Sequence, residues 1–264
     1  MKVYDFIQSL RWYLQFYMCK LIGRYNKIVE QMPEEAVENP LILVPHSDDE
    51  WIGPYAILKN SRENSICIYF NLFGNDYSEH NKQIRNSEIE RSSQFWGFRL
   101  NNNSNFDSDS LSQHLKNHTY IFVPTPYDWH PEHRKVFQTF VEAMNKLSID
   151  DAASKHIYYY CVSVPHSVGE YVHYIQMSKN DVDNKWKDFS KIYHSQSFMP
   201  SLRYKLNLRL VPSKCGYAAQ FYIPVNYVRL KTDYNLSLRQ DFVEYANSLI
   251  HKINNLYKIR GVKY

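Results

Sequence analysis

The chain has only four cysteines in 264 residues, and no two of them form a Cys-x-x-Cys pair. Cys19, Cys67, Cys161 and Cys215 are far apart, and Cys67 and Cys161 fall inside the apolar runs ICIYF and IYYYCVSV. Buried free thiols are expected there, and a disulfide framework is not. A concentrated basic stripe is also missing. The 31 Lys and Arg against 27 Asp and Glu leave a formal charge of +4, and no run exceeds two basic residues. That argues against a nucleic-acid partner. No uncharged run approaches the length of a bilayer span. The first segment, MKVYDFIQSLRWYLQFYMCKLIG, is apolar but broken by Asp5, Arg11, Gln15 and Lys20. No cleavage-site pattern follows it, so the expected location is cytoplasmic. There is no internal repeat, and no linker long enough to force two domains. The expectation is therefore one domain over 1–264, with a helical extension at 1–35 and a less typical segment at 205–264.

What is present is a globular composition, 44% hydrophobic, with an alternating rhythm. Val3, Ile7, Leu10, Leu14, Tyr17, Met18 and Leu21 recur at helical spacing, and Trp12 and Phe16 widen the stripe. The leading expectation is that this helix packs on its own domain. The alternatives are an oligomer contact, or peripheral attachment of residues 1–30 to the inner face of a membrane, helped by Lys2, Arg11, Lys20 and Arg24. PLILVP, SICIYFNLFG, TYIFVPTP and HIYYYCVSVP read as buried strands. Helices are expected between them at 78–98, with Ile84, Ser87, Glu88, Arg91 and Phe95 near one face, and over HPEHRKVFQTFVEAMNKL. This order predicts βαβ units and a mostly parallel α/β sheet. A terminal helix follows, with Ser237 and Gln240 as its capping box.

Two strands run into unusual chemistry. The first ends in His46, Ser47, Asp48, Asp49 and Glu50. The third continues into Asp128, His130, Glu132 and His133. Parallel sheets bind ligands at the carboxyl ends of their strands, so both clusters belong on one edge. Imidazole with carboxylate suits a zinc-type ion, and an open coordination position would make it catalytic. Helix-capping acids beside solvated histidines are the plain alternative.

The segment PHSDDE, 45–50, resembles the AHPDDE signature of the LmbE-like, or PIG-L, deacetylases, and HPEH, 130–133, resembles their HPDH. IRNSEIERSSQFWGF, with Arg85, Glu88 and Gly97, and KIYHSQ, 191–196, are similar to two further segments of that family, in the same order. The resemblance covers roughly residues 40–200. It implies a Rossmann-like three-layer sandwich and a zinc-dependent hydrolase that removes the N-acetyl group from an N-acetylglucosamine-type sugar, free or lipid-linked. It makes His46, Asp49 and His133 the metal ligands, with Fe2+ as an alternative to Zn2+. It makes Asp48 the general base, His130 the acid or charge stabiliser, and Arg85 a substrate contact. Trp51 and Trp129 flank the two clusters as candidates either for stacking on a sugar ring or for the core, and Tyr127 is a candidate for reaching the carbonyl oxygen. Ser47 and Glu132 depart from the family pattern, where Pro and Asp stand. Another amide or an ester as substrate, and a metal-binding homologue without activity, remain alternative readings.

Overall fold

Leu41–Val44 is a strand of four aliphatic residues with no exposed surface at all. Such a strand needs cover on both faces, which helices returning between parallel strands provide. The computed structural model describes residues 2–25, 28–73, 77–102, 107–162, 170–196, 199 and 201–259. Along the chain run α1 (Lys2–Leu21), β1 (Val29–Gln31), β2 (Leu41–Val44), α2 (Asp49–Ile52), α3 (Tyr55–Ser61) and β3 (Ile66–Tyr69). Then come α4 (Glu79–Trp96), β4 (Arg99–Asn102), α5 (Ser108–Lys116), β5 (Tyr120–Pro124), α6 (Pro131–Met144), α7 (Ile149–Ala153) and β6 (His156–Tyr160). The last are β7 (Val172–Met177), α8 (Lys179–Ile192), α9 (Ser201–Leu208), β8 (Ala218–Val225), α10 (Tyr227–Ser237) and α11 (Gln240–Ile259).

These elements fall into two compact units: Met1–Met32 with Pro165–Ile223, and Pro33–Val164 with Pro224–Tyr264. The second unit holds an all-parallel sheet in the order β6-β5-β2-β3-β4. From β2 the chain steps outward to β3 and β4, then crosses to the other side of β2 for β5 and β6. The order reverses between β2 and β5, where Leu41 pairs with Ile121. Open α/β sheets place their ligand crevice at such a reversal, outside the carboxyl ends of the strands. In the first unit β1 lies parallel to β7, and β7 antiparallel to β8. α1 packs on α9 and α9 on α8. The sheets are thus mostly parallel and flanked by helices.

Three local expectations meet a different placement. The buried face of α4 is Arg85, Glu88, Ile89 and Ser92, while Ser87 and Arg91 face solvent and Phe95 is half exposed. The helix turns polar groups inward because charged partners wait there. Ser237 does not cap α11: its hydroxyl donates to the Tyr234 carbonyl at 2.7 Å and closes α10 instead. The stripe of α1 points outward. Ile7, Leu10 and Leu14 are exposed, Trp12 is half-buried, and Phe16 alone of these is buried. The helix does pack on its own unit, against α9, but the stripe is not the packed face, and that part of the expectation is corrected. The inner contact of α1 is made by the opposite side, where Phe16 sits under the Arg209 guanidinium, 5.2 Å from the ring centre. Residues 163–165 of the expected fourth strand, and the side chains of Ile253 and Leu256 in the terminal helix, lie outside the described residues.

Candidate metal centre

The turn after β2 is built by its own polar groups. The Asp49 carboxylate accepts from the His46 amide at 2.9 Å, and the Glu50 carboxylate accepts from the Asp48 amide at 3.0 Å. Asp48 adopts φ +115°, a conformation that side chains other than glycine rarely take. Holding it costs about 1–3 kcal/mol, and such strain collects at functional sites. One result is that the neighbouring carboxylates diverge. Asp49 turns to the histidines, and Asp48 turns to Arg85.

The donors meet across the reversal. His46 Nδ1 lies 3.2 Å from Asp49 Oδ2 and 3.2 Å from His133 Nε2, and His133 Nε2 lies 3.1 Å from Asp49 Oδ2. Bonds of about 2.0–2.1 Å in a tetrahedron place zinc ligands about 3.3 Å apart, so the three atoms fit one ion. His130 stands against both rings, with centroids 4.5 Å from His46 and 5.0 Å from His133. His46, His130 and His133 form a cluster whose ring nitrogens could also hold a metal ion together. Four candidate donors thus meet at this site.

The donors' surroundings set their charge. Burial, helped by the charge of His130, lowers His46 to about 4, so the ring is neutral and ready to ligate. Burial also acts to lower His133, but the carboxylates of Asp49 and Asp128 outweigh it and raise the ring well above the ordinary range. Burial works to raise Asp49, and His133 with His46 overcomes it and holds the carboxyl well below normal. Asp48 goes the other way. Burial, with Asp49 and Glu50 nearby, lifts it to about 8 despite the Arg85 charge.

A ring of supports surrounds these groups. Asp128 Oδ2 lies 3.0 Å from His133 Nδ1, and its other oxygen accepts from the His130 amide at 3.0 Å. One carboxylate thereby fixes both histidines at the start of α6, where His130 stands just before the helix and Pro131 opens it. Glu132 Oε2 lies 2.6 Å from His130 Nδ1. Ser92 on α4 donates to Glu50 at 2.7 Å. Asp128 in an orienting role, and Glu50 and Ser92 as partners, are not legible from motif spacing. The signal that could have found Asp128 is its place two residues before His130.

The remaining sequence-predicted residues lie as follows. Arg85 is buried on α4. It donates to Asp48 Oδ1 at 2.8 Å and to the Ser47 carbonyl, and lies 3.4 Å from Glu88. The substrate contact expected of it thus meets a guanidinium held beneath the turn. Tyr127 is partly exposed, and its hydroxyl donates to Asp233 of α10 at 2.5 Å. Asp233 also accepts from Tyr159 at 3.0 Å. Trp129 is half-buried, and its carbonyl accepts from Arg134 at 2.8 Å. Trp51 is fully buried among Tyr55, Phe95 and Trp96 and belongs to the core.

No protein-family model matches the sequence, and no curated protein does. Among solved structures, the chain is similar to the A40926 pseudoaglycone deacetylase Dbv21, with a TM-score of 0.50 and 10% identity over 71% of this chain and 96% of that one. It is similar to the same extent to GalB, the 4-carboxy-2-hydroxymuconate hydratase of Pseudomonas putida KT2440, with a TM-score of 0.50, 11% identity and the same coverage. At this identity the likeness is one of fold, and it joins a deacetylase and a hydratase.

Proposed function

We propose that the protein is a metal-dependent hydrolase of LmbE-like, or PIG-L, type that removes the acetyl group from an N-acetylated amino sugar, free or carried on a lipid. The observation that carries this reading is the meeting of His46 Nδ1, Asp49 Oδ2 and His133 Nε2 within 3.2 Å of one another, beside a carboxyl raised to about 8. That the chain shares a fold with a pseudoaglycone deacetylase agrees with it.

In this reading His46, Asp49 and His133 hold Zn2+ or Fe2+, and His130 stays free. The ion, when bound, would acidify a water and polarise the acetyl carbonyl. Asp48 takes the proton from the attacking water, and its raised pKa suits proton exchange near neutrality. Arg85 holds the Asp48 carboxylate in place. His130, with Glu132 at its Nδ1, stabilises the oxyanion and gives a proton to the leaving amine as the C–N bond breaks. The products are acetate and a free amino sugar. Trp129 offers an aromatic face for a sugar ring.

The test combines metal content with turnover on a panel of N-acetylated sugars. Asp48→Asn is expected to keep the ion and to lose acetate release by about 10²–10⁴-fold. His133→Ala is expected to lose the ion. His130→Gln is expected to keep it and lose turnover, and loss of the ion in that variant would instead make His130 a ligand. Release of acid from esters with none from amides would overturn the deacetylase reading.

A further inference from the structure

α1 exposes its apolar side. Ile7, Leu10, Leu14, Tyr17, Met18 and Leu21 are between 50 and 82% exposed, and Phe6 and Tyr13 extend the same face. At 3.6 residues per turn these positions fill one arc of about 140°. The protein-facing side is narrow, with Phe16 buried and Gln8, Ser9, Trp12 and Cys19 half-buried. This inverts the usual arrangement of a surface helix, whose apolar stripe faces the core.

The charges lie along the edges of the arc. Arg11 borders it beside Ile7 and Met18, Lys20 borders the other edge beside Tyr13, and Arg24 follows the helix; all three are exposed. The only acid in α1 is Asp5. Pairing the face with a second copy would bring like-charged edges together with no acid on the arc to match them. Anionic headgroups complement both edges, while the long Lys and Arg stems can lie along apolar surface. Among the described residues no helix is long and apolar enough to cross a membrane. A helix with an apolar arc and cations at its margins lies in the interface instead.

We infer that α1 lies in the plane of an anionic leaflet, with the Leu10–Leu14 face in the boundary between headgroups and acyl chains. This goes beyond the proposed chemistry and does not depend on it, because it is read by lipid binding and not by turnover. The full chain is mixed with vesicles of phosphatidylcholine, alone or with phosphatidylglycerol, and floated through a density gradient. The expected result is flotation with the anionic vesicles that weakens with salt. Leu10→Asp with Leu14→Asp, at the middle of the arc, should abolish it, and Ile7→Asp with Met18→Asp should do the same at the Arg11 margin. These side chains are exposed, so the thermal midpoint should stay unchanged. Arg11→Gln and Lys20→Gln should each weaken binding about five-fold. Three results would overturn the inference: a wild-type chain that stays unbound, aspartate variants that bind as well as wild type, or a dimer in light scattering that the aspartate variants dissolve.

Discussion

Gly53 follows α2 with an ordinary negative φ, so its need is for space and not for a special backbone. A Cβ there would stand 2.3 Å from Tyr160 Cδ2 and 3.1 Å from the Asp49 carbonyl. Tyr160 cannot yield freely, because it is fully buried and its hydroxyl donates to the Leu43 carbonyl at 2.6 Å. Gly53→Ala is therefore expected to destabilise by about 1–3 kcal/mol, the range for overpacking a tight core. Urea unfolding measures it, and metal content should fall with it because the displaced turn carries Asp49. At this scale the sequence is readable where chemistry is concentrated. His46, Asp48, Asp49, His130 and His133 stand out because acids and imidazoles interrupt apolar strands. Tyr160 does not stand out. Within IYYYCVSV it is one aromatic among several, and only the fold shows which of them meets the glycine.

Among elements, the approach of α6 to the end of β2 decides the geometry of the centre. Asp128 sits in the loop before α6 and holds the His133 ring and the His130 amide together. Asp128→Asn keeps the shape but removes the charge that favours the ligating ring. Metal affinity should drop by about 10–100-fold, the usual effect of losing such a partner. Competition with a fluorescent chelator measures it, and an unchanged affinity would remove Asp128 from the centre. The elements also show why patterns mislead. The 3.6-residue period of α1 and α4 is visible in the sequence, but not which side of each faces in. In α4 the inner side is polar, because Arg85 pairs with Asp48 of the turn and with Glu88 of its own helix, and Ser92 donates to Glu50. In α1 the inner side is the less apolar one. β4, at the head of the polar stretch NNNSNFDSDS, is a strand because β3 offers it a free edge, from Ile66↔Arg99 to Tyr69↔Asn102. Its residues, Arg-Leu-Asn-Asn, carry no β signal of their own.

On the scale of the whole molecule, the parallel character of the sheet and the two strand ends were legible, since βαβ rhythm and apolar runs survive in the sequence; the order of the strands was not. The antiparallel pairing of β7 with β8 was not legible either, because polar His173 and Gln176 interrupt β7, and the apolar run of β8 does not tell the direction of its partner. The reversal between β2 and β5 has one more consequence. His46 and His133 are 87 positions apart along the chain, yet their ring nitrogens stand 3.2 Å apart. An ion held there acts as a clip across a long loop that exists only in the folded chain. By mass action it stabilises the native state with the logarithm of its excess, by about 4 kcal/mol at a thousandfold over Kd. Dialysis against a chelator should therefore lower the melting temperature, zinc should restore it in a concentration-dependent way, and His133→Ala should respond to neither. Melting thus becomes an assay for assembly of the site that needs no substrate.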